Sequence, residues 1–211
     1  MQRIAVIVLI LLLLLCSCQK KDNTFPVMTL QGTNPHVVVF ASDSIYADPG
    51  AVATDDMDGR LDITAVGSVD MFSAGNYSIT YSAADKSGNT VEAKRRVLVD
   101  AGPYISGNFS VENYIGTIAD STYNDTISAA DTLTNFICFK KFARISQANV
   151  YATIGGTTLT IPAQTISCGT PVEDKVFTGY GTFSNDSIFT IYYTVSTGAS
   201  QYSGYGRYTR N

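Results

Sequence analysis

From residue 26 onward, apolar and polar residues alternate in short runs, and no stretch sustains a 3.6-residue apolar period. A chain patterned this way cannot bury helices against one another. It must pair strands and cover their apolar faces. Residues 76–84 place Tyr77, Ile79, Tyr81 and Ala83 on one face and hydroxyl side chains on the other. Residues 90–99 repeat the pattern with Val91, Ala93, Val97 and Val99, interrupted only by Arg95. Between them, Asp85-Lys86-Ser87-Gly88-Asn89 carries hairpin-turn chemistry. A ribbon with one apolar face needs a second sheet to cover it, so this part is expected to be a β-sandwich.

After the junction at 100–103 the same grammar continues through 104–211. Candidate strands are 104–111, 113–119, 123–129, 134–142, 148–154, 157–161, 175–183, 187–195 and 201–209. Gly155-Gly156 reads as a tight turn between two of them. Eight or nine short antiparallel strands close most economically into a barrel or a second sandwich. The fold class is therefore all-β, in two parts.

The N-terminal end reads differently. Arg3 precedes an unbroken apolar run over 4–15, shorter than the ~20 residues a spanning helix needs and suited to a signal segment. It ends in Leu15-Cys16-Ser17-Cys18, which resembles the lipobox of bacterial lipoproteins. That resemblance implies a signal peptide over 1–17, removed before Cys18, with acyl chains such as palmitate on Cys18 and a tether over 18–25. Gln19-Lys20-Lys21-Asp22-Asn23 resembles the short charged export signal of Bacteroidetes-type surface lipoproteins. It implies a protein anchored by lipid to the outer membrane and facing the cell exterior.

Over 26–99 the motifs become specific. Pro26-Val27-Met28-Thr29-Leu30-Gln31-Gly32 opens the segment, followed by Tyr46-Ala47-Asp48-Pro49-Gly50-Ala51 and by Ala53-Thr54-Asp55 running to Asp58-Gly59. Then come Ser73-Ala74-Gly75-Asn76-Tyr77, the strand at Ile79-Thr80-Tyr81, Ser87-Gly88-Asn89 and Arg96-Val97-Leu98-Val99. In this order they resemble a bacterial immunoglobulin-like module of the kind found in crystal toxins and surface proteins. The resemblance implies a seven-strand-like sandwich serving as spacer or adhesive module, with no catalytic residues. Thr158-Leu159-Thr160-Ile161-Pro162-Ala163-Gln164 and Phe177-Thr178-Gly179-Tyr180-Gly181 resemble β-barrel domains of small surface lipoproteins, which lend no activity.

Composition narrows the function. A net charge of -4 and a pI near 4.8 argue against nucleic acid as partner. His36 is the single histidine, which removes triads and His-based zinc sites. There is no nucleophile elbow and no phosphate loop, and Glu173-Asp174 lies in a polar loop, so an enzyme is not expected and no cofactor is implied. Tyr202, Tyr205, Arg207 and Tyr208 in the Gly-rich tail are the candidate ligand-binding set, with Tyr202 and Tyr208 on one strand face and Tyr205 on the other. They suit an extracellular polysaccharide; otherwise such tyrosines pack a barrel, and the protein docks on another envelope protein as an accessory subunit.

Two further readings stay open. Cys138 and Cys168 either form a disulfide in an oxidising compartment or remain two buried thiols. Asp55, Asp56 and Asp58, followed by Gly59, resemble the start of a calcium loop, but Gly67 stands where an EF-hand's terminal Glu belongs. These acids read first as a backbone turn, with calcium as the alternative.

Overall fold

The computed structural model describes residues 22–129, 135–198 and 200–211. The expected signal peptide, Cys18 and the first residues of the tether lie outside the described residues. Among the described residues no helix is long and apolar enough to cross a membrane. They fall into two compact units, one made of 22–29, 51–64 and 81–93 and the other of 30–50, 65–80 and 94–211.

The N-terminal part is Ig-like and has seven strands: β1 (Val27–Leu30), β2 (His36–Val39), β3 (Ala51–Asp55), β4 (Gly59–Leu61), β5 (Thr64–Val66), β6 (Gly75–Ala84) and β7 (Thr90–Asp100). They form a three-stranded sheet in the order β1-β3-β4 and a four-stranded sheet in the order β2-β7-β6-β5, with β2 parallel to β7. Ile79, Tyr81 and Ala83 are buried on β6, as the alternation requires. Arg95, the interruption on β7, is wholly buried as well. Its guanidinium donates to the carbonyls of Thr33 (2.7 Å), Gly50 (2.8 Å) and Gln31, and pairs with Asp48 at 3.3 Å. A cation in this position satisfies the carbonyls of Gln31 and Thr33 and gives a second donor to that of Gly50, which also accepts from the Gln31 N–H at 2.9 Å.

Asp100–Pro103 is not an extended spacer. β7 runs to Asp100, and a short helix α1 (Gly102–Ile105) follows at once, with Pro103 in its first turn. Ala101 and Ile105 are fully buried, and Asn135 holds the segment by accepting from the Ala101 N–H (2.8 Å) and donating to the Val99 carbonyl (3.0 Å).

The C-terminal part is a closed antiparallel barrel of eight strands: β8 (Gly107–Ile115), β9 (Ile118–Ala129), β10 (Phe136–Phe139), β11 (Val150–Gly155), β12 (Thr158–Cys168), β13 (Glu173–Phe183), β14 (Ile188–Ser196) and β15 (Gln201–Arg210). Of the two closures the sequence left open, the barrel is the one adopted. Consecutive strands pair in order, and β15 closes the ring on β8. The strand break expected near residue 112 falls instead at Gly116, and the register with β9 shifts opposite Asn113 and Tyr114, where Asp120 is passed over. β12 continues through Pro162 to Cys168, because a register shift between Ile161 and Gln164 spares the bond that proline cannot donate.

Eight strands leave an interior that side chains just fill. Here the filling is aromatic. Phe189 stacks on Tyr208 (5.1 Å, 6°), Phe109 and Phe139 meet Tyr208 edge-on, and Phe142 bridges Phe139, Phe177 and Tyr193. Each such pair adds about 0.5–1.5 kcal/mol beyond its burial.

Cys138 and Cys168 are both free and buried, so the disulfide reading is corrected. β11 lies between β10 and β12. Two strand spacings, about 9.6 Å, exceed the ~7 Å that a disulfide can bridge between Cα atoms. Burial pushes both thiols up from their ordinary pKa, which keeps them unreactive.

Candidate binding site

Antiparallel succession brings four connections to one end of the barrel: the β8–β9 turn at Gly116 and the loops at 140–149, 169–172 and 197–200. At this mouth lies a cavity of about 450 Å³, within the ~300–1,000 Å³ of small-ligand sites, and its walls are largely polar. Asn113, Asp120, Arg144, Glu173, Lys175 and Tyr202 supply the chemistry.

Asn113 continues the inward phase of Phe109 and Val111 on β8 and is buried. Its carbonyl accepts from the Tyr193 hydroxyl at 2.7 Å, and its amide donates to Asp120 Oδ2 at 3.1 Å. The same oxygen accepts from Ser121 Oγ (2.9 Å) and faces Arg144 Nε at 3.4 Å. Burial pushes the Tyr193 hydroxyl up to about 12 and raises that of Tyr202, so both phenols stay neutral donors near neutral pH. Lys175 pairs with Glu173 on the opposite wall. Two acids and two cations leave the mouth with no net charge.

The loop carrying Arg144 is held in an unusual conformation. Ala143 (φ 50°), Arg144 (φ 65°) and Gln147 (φ 63°) all occupy the left-handed region without being glycine. Each costs roughly 1–2 kcal/mol, and such strain concentrates where a side chain must be aimed.

The four tail residues expected to act together are separated by the barrel wall. Tyr208 is in the aromatic core at 1% exposure and is unavailable to a ligand. Tyr202 faces inward at the mouth and lines the cavity. Tyr205 and Arg207 point outward. Arg207 sits 3.7 Å from Glu112, and both are exposed. Tyr205 belongs to a row with one tyrosine per strand, set by direct register: Tyr114 on β8, Tyr205 on β15, Tyr192 on β14 and Tyr180 on β13. Tyr114 and Tyr205 are stacked at 4.5 Å and 7°, Tyr192 and Tyr205 are 5.7 Å apart, and Tyr180 stacks on Tyr192 at 5.4 Å. Rings that close and parallel lie face to face, so Tyr114 covers one face of Tyr205.

The acidic turn is rearranged too. Asp58 accepts from the Lys86 N–H and pairs with its ammonium, both at 2.8 Å. Asp55 and Asp56 instead gather with Asp22. Asn113, Asp120, Arg144 and Lys175 were not singled out from sequence. Asn113 carried a legible signal, a polar residue at an inward position of an alternating strand. Asp120 and Arg144 carried none.

Fold and site thus define an Ig-like module followed by a closed, filled barrel with a polar mouth. Residues 28–99 match the family described as bacterial surface protein, Ig-like domain. The crystal structure of a lipoprotein from Bacteroides thetaiotaomicron aligns over 87% of this chain and 99% of its own, at 16% identity and a TM-score of 0.36. Curated proteins give no match.

Proposed function

We propose that the protein is a non-catalytic cell-surface lipoprotein that binds a neutral glycan unit at the barrel mouth. The observation that carries this reading is the charge-balanced cavity. Planar amide, carboxylate and guanidinium groups suit vicinal hydroxyls, Tyr202 supplies a ring, and zero net charge favours a neutral ligand over an ionic one. Asp120 and Glu173 each face a cation, which suits positioning rather than acid–base chemistry. Lipidation of Cys18, an outer-membrane location and an exterior-facing orientation rest on the lipobox resemblance and on the surface character of the matched Ig-like family.

The test is a polysaccharide screen on the full-length protein in detergent. Saturable binding is expected, abolished by Tyr202→Ala and Arg144→Ala and retained in Tyr205→Ala and Arg207→Ala. Binding that survives Tyr202→Ala overturns the assignment of the site. If no polysaccharide binds, docking on another envelope protein becomes the better reading, supported by the exposed edges of Tyr180 and Tyr192. Radiolabelled palmitate incorporated by the wild type and lost in Cys18→Ala tests the anchor.

A further inference from the structure

We infer that Asp22, Asp55 and Asp56 hold a calcium ion that fastens the tether to the Ig-like part. Asp22 and Asp55 are only 7% and 8% exposed. Each uses one carboxylate oxygen on the backbone: Asp22 Oδ1 accepts from the Thr24 N–H at 2.8 Å, and Asp55 Oδ1 accepts from the Met57 and Asp58 N–H groups, both at 2.9 Å. The second oxygen of each, Oδ2, is buried and receives no hydrogen bond from any described residue. Asp56, which is exposed, completes the group, and one ligand oxygen from each of the three lies within 4.8 Å of the others.

Two buried carboxylate oxygens without donors, in acids clustered with a third, carry negative charge that the N–H groups on the Oδ1 atoms offset only in part and that a cation neutralises. The set is all oxygen, which selects a hard ion. Calcium takes six to eight oxygens at ~2.3–2.6 Å in flexible geometry, whereas magnesium demands near-ideal octahedral positions at ~2.1 Å, so carboxylates drawn from two separate segments of chain suit calcium. Asp56 is exposed, so water would complete the coordination from its side. Asp22 stands four residues after Cys18, so the ion would fix the chain shortly after its lipid anchor. This inference does not depend on the glycan site.

The test is calorimetric titration of the full-length protein in detergent, after stripping with chelator. One saturable calcium site is expected, weakened at least roughly tenfold by Asp22→Asn and by Asp56→Asn and unchanged by Asp58→Asn. Calcium is also expected to slow proteolysis between residues 19 and 25. Asp56→Asn lies on the surface and carries the test if Asp55→Asn fails to fold. Two results overturn the inference. One is no saturable binding up to about 10 mM calcium, tenfold above the ~1 mM of weak extracellular sites, by protein that still unfolds cooperatively. The other is a site indifferent to both Asp22→Asn and Asp56→Asn.

Discussion

Asp125 makes the stability of the barrel depend on pH, with a sign that can be worked out. It occupies an inward position on β9 between Tyr123 and Ile127 and is 2% exposed. Its Oδ1 accepts from the N–H groups of Thr126 (2.8 Å), Lys140 (3.0 Å) and Lys141 (2.7 Å), whereas Oδ2 has no partner among the described residues. Burial outweighs these three donors and the nearby Lys141 charge, and pushes the carboxyl up to about 6 from 3.8. Because the folded pKa is the higher one, the native state holds a proton between about pH 4 and 6 that the unfolded chain has released. Stability contributed here is therefore full below about pH 4, falls as pH rises toward 6, and levels off above it. At 1.36 kcal/mol per pKa unit the amplitude is about 3 kcal/mol. Urea denaturation of wild type and Asp125→Asn across pH 4–7.5 measures it. Asn keeps the accepting oxygen and cannot ionise, so relative to wild type the variant gains about 2.4 kcal/mol between the two ends of the range, the rest of the amplitude lying below pH 4. Stability profiles that run parallel within about 0.5 kcal/mol would refute the reasoning.

Three further outcomes are expected. Arg95→Met strands the carbonyls of Gln31 and Thr33, takes one of two donors from Gly50 and removes the cation paired with Asp48; it should cost about 3–5 kcal/mol in urea denaturation, against under 0.5 kcal/mol for exposed Arg96→Met. Gly204→Ala would drive a methyl into the Tyr114 carbonyl and to 2.8 Å from the Tyr193 hydroxyl, lowering stability by roughly 2–3 kcal/mol in the same assay. Cys138 and Cys168 should resist alkylation in the folded protein and label fully in denaturant without reductant; peptide mass spectrometry showing them linked would contradict the strand order.

Much of this was legible in the chain. Alternation on β6 and β7 named Ile79, Tyr81 and Ala83 as buried, because a strand's two faces follow directly from residue parity. The same parity separated Tyr205 from Tyr202 and Tyr208. It could not say that Tyr208 is sealed in the core while Tyr202 opens at the mouth, because position along a barrel axis depends on where every other strand begins. Arg95 read as an interruption, yet the carbonyls that justify its burial come from residues 31, 33 and 50, far off in sequence.

The binding site shows the division most clearly. Local order alone determined the β class, the turn at Asp55 and the β11–β12 hairpin, whose two-residue turn falls at Gly156-Thr157, one residue past the expected Gly155-Gly156, since each rests on neighbouring side chains and backbone preference. Tertiary closure decided the rest. Arg144 meets Asp120 only because β10 pairs with β9, and Asp22 meets Asp55 only because the tether folds back on the Ig-like turn. It also kept Cys138 and Cys168 apart by placing β11 between them. Contacts between residues distant in sequence are set by pairing and register across the whole ring, and no local pattern encodes that register on its own.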